Sequence, residues 1–490
     1  MDYKVSNGLS EAEMKREIRA DYDQMLMFPP SVEDWIGEDH SARFIRDFVE
    51  SLDLRELGFV IPSSEVGGSY YAPDLLLKVW LYGFMHGIRG MRKLERACRE
   101  QMGLIWLTGR NTPDHNSLWR FLNANQEAIS KLFKQSVKVA VKCEMVGMAV
   151  HAVDGTKIRS NSSWNKMASA EALEKMQEKL DRSVADFMTE IERQEQEEVG
   201  EYKLPSSMHG ALKRREKIHK ALKELEESEL KRVHPCEPEA RVMKNRRNLD
   251  LSYNAQAVAD RDSGIIVAAD VVNEGSDNGQ LVPMLDLVKE NLGATAKENL
   301  ADGGYFSGSQ IGLAEEREYQ VLVSPPSSET TPKQSRKVDV YPTSQFLYDR
   351  ERNCCICPHG QELPYLTTRI RGKNKNAFRV YRCRRHRECL HRSQCTTGKQ
   401  GREIDISVHY EAIERLRAKR QEPANQRLLS QRKRIIEPVF AWIKRHLGFD
   451  RWTVMGLEKV RAQWALVCTV INLMKMHKRW LSGGLQLAAG

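Results

Sequence analysis

The chain has 490 residues, of which 41% are hydrophobic and 29% are charged, so it can bury a sizeable core in roughly two to four domains. It contains no run of about 18 consecutive apolar residues, and its first residues are polar and mixed in charge. These features predict a cytoplasmic protein with no membrane span and no signal peptide. The net charge of +9 favours a polyanionic partner only weakly, because many soluble proteins are mildly basic.

Residues 20–143 are predicted to form an all-helical DNA-binding domain. Apolar residues three and four apart over 75–100 predict helix. In 109–122, Thr112 is the predicted N-cap and Pro113 the first helical residue. We interpret 109–122 as a helix-turn-helix in which Arg120 and Asn123 contact DNA, although plain core packing would explain the same pattern.

Strand signals dominate residues 145–326. The stretch 145–158 is apolar, is enriched in β-branched residues and contains Asp-Gly, which predicts a buried strand closed by a turn. A predicted hairpin (249–260 and 264–273) is followed by a helix, a strand, a helix and a last strand at 279–293, 297–308, 309–319 and 320–326. This order predicts an α/β protein with a ribonuclease-H-like mixed sheet core.

Three further segments complete the predicted organisation. Residues 163–247 are charged helix formers and are interpreted as a helical insertion, a solvated hairpin in the simplest interpretation. A polar linker (326–345) leads to a cysteine-rich module at 345–400. Residues 405–480 are predicted to be the helical C-terminal part of the catalytic core.

Asp154 and Asp302 are candidate metal-binding carboxylates. Each follows an apolar run at a predicted strand end, and the first and fourth strands of a ribonuclease-H-like sheet are neighbours, so the two would lie side by side. Carboxylates on separate rigid elements suit Mg²⁺, and two such ions about 4 Å apart can promote phosphodiester cleavage and joining. Taken singly, Asp-Gly is an ordinary turn signal. Other acids compete around the predicted hairpin, namely Asp260, Asp262, Asp270 and Asp277.

Glu437 is the third candidate, on a predicted helix rich in cations. Lys444 lies two turns later on the same face and Arg434 lies three residues earlier, so both could hold phosphates beside the acid. Pro438 predicts that the helix begins or bends there. A single acid on a basic helix is more often a salt-bridge partner, and only the order of all three acids favours a catalytic role.

The segments VDGTKI, YNAQAVAD, ADGGYFS and EPVFAWIK, in that order, resemble the DDE transposases of bacterial insertion sequences. The N-terminal segments PPSVEDWIGEDH and APDLLLKVWLYG resemble the helical domain that precedes the core in one large subgroup, so the resemblance covers about residues 25 to 478. It implies that Asp154, Asp302 and Glu437 are the catalytic triad, that Lys444 matches a lysine of the family, and that Mg²⁺ or Mn²⁺ is the cofactor. It also implies a homodimer acting on paired DNA ends.

The chain departs from the wider group at two positions before the glutamate. Many members carry tyrosine and arginine where this chain has Ser430 and Lys433. Lys433 keeps a positive charge for a phosphate but lacks the bidentate fork of arginine. Arg432 and Arg434 are candidates to supply that fork.

Six of the ten cysteines fall between Cys354 and Cys395, a clustering that favours metal binding over a disulfide framework. A structural zinc needs four ligands, and the preferred set is Cys357, His386, Cys389 and Cys395. Cys355 and Cys383 are the alternatives. Reduced cysteines without metal would also account for the cluster. The many arginines and lysines nearby favour contact with phosphate backbone.

The sequence therefore predicts a transposase that cleaves DNA at the terminal inverted repeats of its element and joins the ends to target DNA. Two alternatives stay open: a catalytically silent DNA-binding relative, and a host ribonuclease-H-like nuclease. The complete set of acids argues against the first, and the N-terminal helical domain argues against the second.

Overall fold

The computed structural model describes residues 31–61, 70–195, 206–245, 248–326, 341–371, 376–396 and 398–483. The predicted linker at 326–345 lies mostly outside these residues. None of the described helices is both long and apolar enough to cross a bilayer.

The helical prediction for the N-terminal region is confirmed. Its helices are α1 (Ser41–Glu50), α2 (Pro73–Met85), α3 (Met91–Glu100), α4 (Met102–Leu107), α5 (His115–Ala124) and α6 (Gln126–Lys142). The single helical stretch expected at 75–100 is two helices separated by a break at 86–90. Helix α2 is buried along most of its length because α1, α3, α4 and α5 pack around it.

The start of α5 differs from the prediction. The helix begins at His115, and its N-cap is Asp114, whose carboxylate accepts the backbone N–H groups of Asn116 (2.8 Å) and Ser117 (3.1 Å). The N-cap prediction for Thr112 is therefore wrong, because the carboxylate two residues later satisfies the free amides of the first turn.

A mixed six-stranded sheet forms the centre of the chain. Its strands are β1 (Val150–Arg159), β2 (Arg241–Asn245), β3 (Asn248–Asp260), β4 (Ile266–Val272), β5 (Glu298–Ala301) and β6 (Val321–Val323). The order across the sheet is β4-β3-β1-β5-β6, and β2 pairs with β3 on the same side as β4. Strands β1, β5 and β6 are parallel, whereas β3 is antiparallel to all its neighbours. An α/β core is thus confirmed, with the predicted hairpin formed by β3 and β4.

Strand β1 does not end at its Asp-Gly pair as expected. It runs on to Arg159, and residues 155–159 keep antiparallel pairing with residues 252–256 of β3. Asp154 therefore lies in mid-strand, because the long β3 offers a ladder that a local turn signal cannot outweigh.

The helices that link the parallel strands follow the prediction. Helix α9 (Leu281–Leu292) connects β4 to β5 and α10 (Gly308–Glu316) connects β5 to β6. Helix α9 ends at Gly293, whose φ of 85° is the left-handed conformation that favours glycine at this position.

The charged insertion forms a helical hairpin of α7 (Ala170–Glu195) and α8 (Ser206–Glu227). A small apolar cluster that includes Leu173, Ile218 and Ala221 joins the two helices, and the pair Arg215–Asp181 (2.6 Å) lies between them. The insertion is shorter than the expected 163–247, because residues 241–245 pair with β3 as β2.

The cysteine-rich segment forms a second, antiparallel sheet. Its strands, in the order β11-β10-β9-β8-β7, are β7 (Leu347–Asp349), β8 (Cys354–Ile356), β9 (Glu362–Arg371), β10 (Asn376–Arg382) and β11 (Glu403–Ser407). A single helical turn, α11 (Arg392–Cys395), lies between β10 and β11. Its own small core includes Phe346, Cys355, Leu363 and Tyr381.

Three helices follow: α12 (Tyr410–Gln421), α13 (Pro423–Arg445) and α14 (Leu457–Leu481). Helix α13 carries Glu437 and begins at Pro423, with Pro438 inside it. Of the two predicted alternatives, a helix start at Pro438 is wrong, and a bend there stays a prediction. Its long apolar face, which includes Ile436 and Ile443, lies on the sheet and outweighs the backbone hydrogen bond that the proline lacks.

Buried Asn472 of α14 ties the helical region to the sheet. Its amide exchanges hydrogen bonds with the backbone N–H (2.8 Å) and carbonyl (2.9 Å) of Ile266 in β4. It also donates to the hydroxyl of Ser136 in α6 at 3.3 Å. One side chain thus completes the outer edge of β4 and joins it to two helices.

Candidate active site

Asp154 lies near the centre of the main sheet. Its carboxylate accepts a hydrogen bond from Arg432 Nη1 of α13 at 3.0 Å and one from the backbone N–H of Gly155 at 2.8 Å. Burial raises the pKa of Asp154 to about 6, the Arg432 charge opposes that shift, and the Asp302 charge adds to it. The protein thus holds an acid whose ionisation depends on nearby positive charge.

Asp302 directly follows β5, as predicted. Strands β1 and β5 are parallel, with Ala152 opposite Leu300, so Asp154 and Asp302, each two residues further on, come side by side. The Asp302 carboxylate accepts the backbone N–H of Gly304 at 2.8 Å and caps a short 3-10 turn. The predicted adjacency of the two aspartates agrees with this pairing and with their electrostatic interaction.

Asp277, one of the competing acids, is held by three donors. They are Asn254 Nδ2 (2.7 Å), Gln256 Nε2 (2.8 Å) and Lys157 Nζ (3.1 Å). Gly155 leaves room for this cluster, because a Cβ there would lie 2.8 Å from Asp277 Oδ1. The Asp277 carboxylate therefore links β3 to β1 through hydrogen bonds from both strands.

Tyr305 links this cluster to the aspartates. Its buried hydroxyl donates to Gln256 Oε1. Burial raises the Tyr305 pKa well above its usual value, and the charges of Asp277, Asp154 and Asp302 raise it further. The roles of Asn254, Gln256 and Tyr305 were not predicted from the sequence, although the alternation of Asn254 and Gln256 on β3 indicates a shared polar face.

Glu437 is exposed on α13 and lines a groove beside β1. We call this the carboxylate groove, and it is lined by Gly155, Thr156, Lys157, Lys244, Asn245, Glu437, Phe440, Ala441, Lys444 and Arg445. Lys444 shares the groove with Glu437, as their spacing predicted, and its Nζ donates to the Lys157 carbonyl at 3.1 Å. Glu437 therefore shares its groove with Lys157, which lies on β1 three residues after Asp154, and with Lys444.

The other predicted DNA-binding residues lie elsewhere. Arg434 lines a different groove from Glu437, on the other side of α13, so the two do not share one face as expected. Lys433 is exposed on α13, and Arg120 is exposed on α5. Of the two arginines considered as replacements for the arginine of the wider group, Arg432 contacts the carboxylate of Asp154.

Among the described residues, no group of three or more His, Cys, Asp or Glu side chains is arranged so that it could hold a metal ion. Asp154 and Asp302 are adjacent, whereas Glu437 stands in the wall of the carboxylate groove. Because Arg432 neutralises Asp154 in this arrangement, a cation bound there would compete with the arginine for the same carboxylate.

In the second sheet, the thiols of Cys357, Cys383, Cys389 and Cys395 interact with one another. Burial raises the pKa of Cys395, the Arg402 charge opposes that shift, and the other three thiols add to it. The Cys357 sulfur also accepts the backbone N–H of Gln361 at 3.3 Å. The expected ligand His386 instead places Nε2 3.1 Å from the Lys399 carbonyl, and its buried Nδ1 has no partner in the described structure. The electrostatic interactions between the thiols thus link Cys383, one of the two alternative ligands, with the three preferred cysteines.

Two families match the chain. Residues 30–124 match the family described as a transposase domain (DUF772), and residues 356–477 match the family described as a transposase DDE domain. No curated protein and no solved structure matches the chain. The first match covers most of the N-terminal helices, and the second covers strands β9 to β11 of the cysteine-rich sheet and the helix that carries Glu437. Both matched families are transposase families, and together they support a DDE transposase of the insertion-sequence type.

Proposed function

We propose that this transposase cleaves DNA at the terminal inverted repeats of its element and joins the freed 3′-hydroxyls to target DNA, with Asp154, Asp302 and Glu437 as catalytic residues. The observation that carries the proposal is the parallel pairing of β1 with β5, which sets two aspartates side by side next to a cationic groove that contains the glutamate. Joining and cleavage are both in-line attacks at phosphorus, so one site can serve both.

The topology supports a ribonuclease-H-like core. Leaving β2 aside, the first three strands of the sheet are antiparallel neighbours, and the last two are parallel to the first and follow helices. This is the strand order expected from the sequence. In such a core the carboxylates of the first and fourth strands meet, as Asp154 and Asp302 do here.

Asp154 and Asp302 fit a divalent cation such as Mg²⁺ or Mn²⁺. Two adjacent carboxylates, one of them raised in pKa by burial, are stabilised by a hard cation that prefers oxygen ligands. When bound, such an ion supplies Lewis-acid stabilisation of the phosphoryl oxygens and a more acidic nucleophile. The chain's own cations, Lys444 and Arg445, line the groove where the DNA phosphates would lie.

The N-terminal helices are the proposed reader of the element's ends, with Arg120 on the exposed surface of α5. Action as a homodimer on paired ends and a cytoplasmic location are further proposals drawn from the resemblance to transposases. The domain boundaries expected from the sequence, 20–143, 145–326, 345–400 and 405–480, are proposed with them.

Metal-dependent cleavage is the direct test of this function. Purified protein is incubated with a plasmid that carries the repeats flanking its gene, with Mg²⁺, Mn²⁺ or EDTA. We expect nicks at the repeat ends with either cation and none with EDTA. Binding to the repeats without nicking under all conditions would instead indicate a silent DNA-binding relative. Cleavage of RNA–DNA hybrid with no cleavage of the plasmid would indicate a ribonuclease-H-like nuclease.

We also propose a structural zinc ion in the second sheet, held by Cys357, Cys389 and Cys395 with a fourth ligand. Because these side chains are not arranged as a metal site in the described structure, the proposal requires them to draw together when the ion binds. His386 fits through its unpartnered Nδ1, but the neighbouring thiols favour Cys383.

Metal analysis of the purified protein should find one zinc per chain. We expect the Cys383→Ser variant to lose the metal and the His386→Ala variant to keep it, as measured by zinc released to a colorimetric chelator. If only the His386→Ala variant loses zinc, His386 and not Cys383 is the fourth ligand. If the wild-type protein contains no zinc, the proposed site is excluded.

A further inference from the structure

A second groove lies on the side of α13 away from the carboxylate groove. Its cations come from the β3–β4 turn, from α13 and from the end of α14. We call it the basic groove and define it by Arg261, Gly264, Arg434, Trp442, Lys475 and Lys478. The function proposed above uses none of these residues, although the sequence pattern had placed Arg434 beside Glu437.

The positive charge of the basic groove is poorly neutralised. Arg261 pairs with Asp262 at 2.9 Å, and Lys475 Nζ donates to the Ser263 carbonyl at 3.0 Å. In the part of the chain that the structure describes, the exposed side chains of Arg434 and Lys478 have no carboxylate within ion-pairing distance. The groove therefore presents cations that gain from a bound anion.

The electrostatics of Lys475 agree with an excess of positive charge. Burial lowers its pKa, the neighbouring Lys478 lowers it further, and only Asp260 opposes the shift. Gly264 makes room for the ammonium group, because a Cβ there would lie 2.7 Å from Lys475 Nζ. The backbone of the turn thus accommodates a lysine that remains close to another cation.

The residues that line the basic groove suit a polymer with apolar and anionic parts. Ile435, Val439 and Ile471, which are buried, form the floor of the groove between its cations. Trp442 is 41% exposed and its ring stacks on His446 at 3.7 Å. Exposed aromatic surface beside unpaired cations is the combination used to bind nucleic-acid backbone and unstacked bases.

We propose that the basic groove binds the phosphodiester backbone of DNA. A helix with its side chains is about 10–12 Å across, so this backbone would lie one helix width from the strand in the carboxylate groove. It could belong to the far strand of the same duplex or to a second duplex. Binding here is a separate property from cleavage, and metal-free conditions test it without reference to the catalytic proposal.

The test is equilibrium binding of a fluorescent 30-base-pair duplex of arbitrary sequence in EDTA, over a range of salt concentrations. A plot of log affinity against log salt has a negative slope, and each lost phosphate contact makes that slope less steep by about 0.9. We expect the Arg434→Ala/Lys478→Ala variant to bind DNA more weakly, by a factor on the order of ten or more near 0.1 M salt. Its slope should be less steep than that of the wild type by about 2. The charge-preserving variant Arg434→Lys/Lys478→Arg should keep the wild-type slope.

The matched control is Arg182→Ala/Lys223→Ala, which removes the same two residue types from helices where each already pairs with a glutamate. Its slope should equal that of the wild type. If the groove variant and this control bind alike, the proposal is overturned.

Stoichiometry with a 12-base-pair duplex identifies the source of the backbone. A second duplex predicts that the wild type binds one more duplex per chain than the Arg434→Ala/Lys478→Ala variant. A shared duplex predicts equal stoichiometry with weaker affinity for the variant.

Discussion

Replacing Asp154 with asparagine should lower the rate of DNA cleavage on the order of 10³-fold or more while leaving repeat binding and folding nearly intact. A catalytic cation supplies several kcal/mol of transition-state stabilisation, and each 1.4 kcal/mol or so corresponds to a factor of ten in rate. Asparagine keeps the size of the side chain and an oxygen for Arg432, but it loses the charge that would hold the cation. Asp302→Asn should behave in the same way.

The control for this prediction is Asp270→Asn. Asp270 lies in β4 of the same sheet, burial raises its pKa, and it pairs with Arg461 at 3.0 Å, the same distance as the Asp154–Arg432 pair. Single-turnover cleavage of labelled repeat ends should stay near the wild-type rate for Asp270→Asn. Wild-type cleavage by Asp154→Asn, or an equal loss in Asp270→Asn, would show that the site is misassigned.

Replacing buried Arg432 with methionine should destabilise the protein by an amount that grows with pH. The guanidinium opposes the burial that raises the pKa of Asp154 to about 6, so its removal raises that pKa further. A carboxyl group whose pKa is higher in the folded state costs folding free energy once the pH exceeds its unfolded value of 3.8. The cost increases until the pH passes the folded pKa.

We therefore expect a small loss for Arg432→Met at pH 5 and a loss of about 3–5 kcal/mol at pH 8, the range found when one partner of a buried ion pair is removed. Urea unfolding at both pH values in EDTA measures the difference. The matched variant Arg461→Met removes the more exposed partner of Asp270 and should cost about 1 kcal/mol or less. A loss for Arg432→Met that does not change between pH 5 and pH 8 would show that the arginine acts through packing alone.

Arg432 also bears on how the active site assembles. In the described structure it neutralises Asp154, while Glu437 stands apart in the carboxylate groove. A cation at the aspartates would replace the arginine as the partner of Asp154, and the guanidinium could then turn to a phosphate. The departure from the resembling transposases at Ser430 and Lys433 fits the proposal that Arg432 supplies the fork expected before the glutamate.

Local patterns in the sequence were sufficient for the elements whose conformation local forces decide. The helices of the N-terminal region, the β3–β4 hairpin and the end of α9 at Gly293 all follow from apolar periodicity and turn chemistry. The order of strands and helices also implied that Asp154 and Asp302 would be neighbours, since the parallel neighbour of the first strand is a property of topology.

The remaining features depend on contacts between distant segments. Asp154-Gly155 is a turn signal by itself, but pairing with β3 keeps it in the strand. Pro438 interrupts a helix locally, but the apolar face of α13 on the sheet preserves it. The assignment of Arg434 to the basic groove depends on what packs on each side of that helix, and so does the choice of Arg432 for Asp154.

The sequence by itself thus indicated a transposase, the order of elements and three candidate acids, because these are carried by short motifs and by periodicity. Only the tertiary structure decided that Arg432 contacts Asp154, which thiols interact with Cys395, and that Asn254 donates a hydrogen bond to Asp277. The physical reason is that a side chain's partner is set by the packing of elements far apart in the chain, where burial and charge, rather than spacing along the sequence, decide the contact.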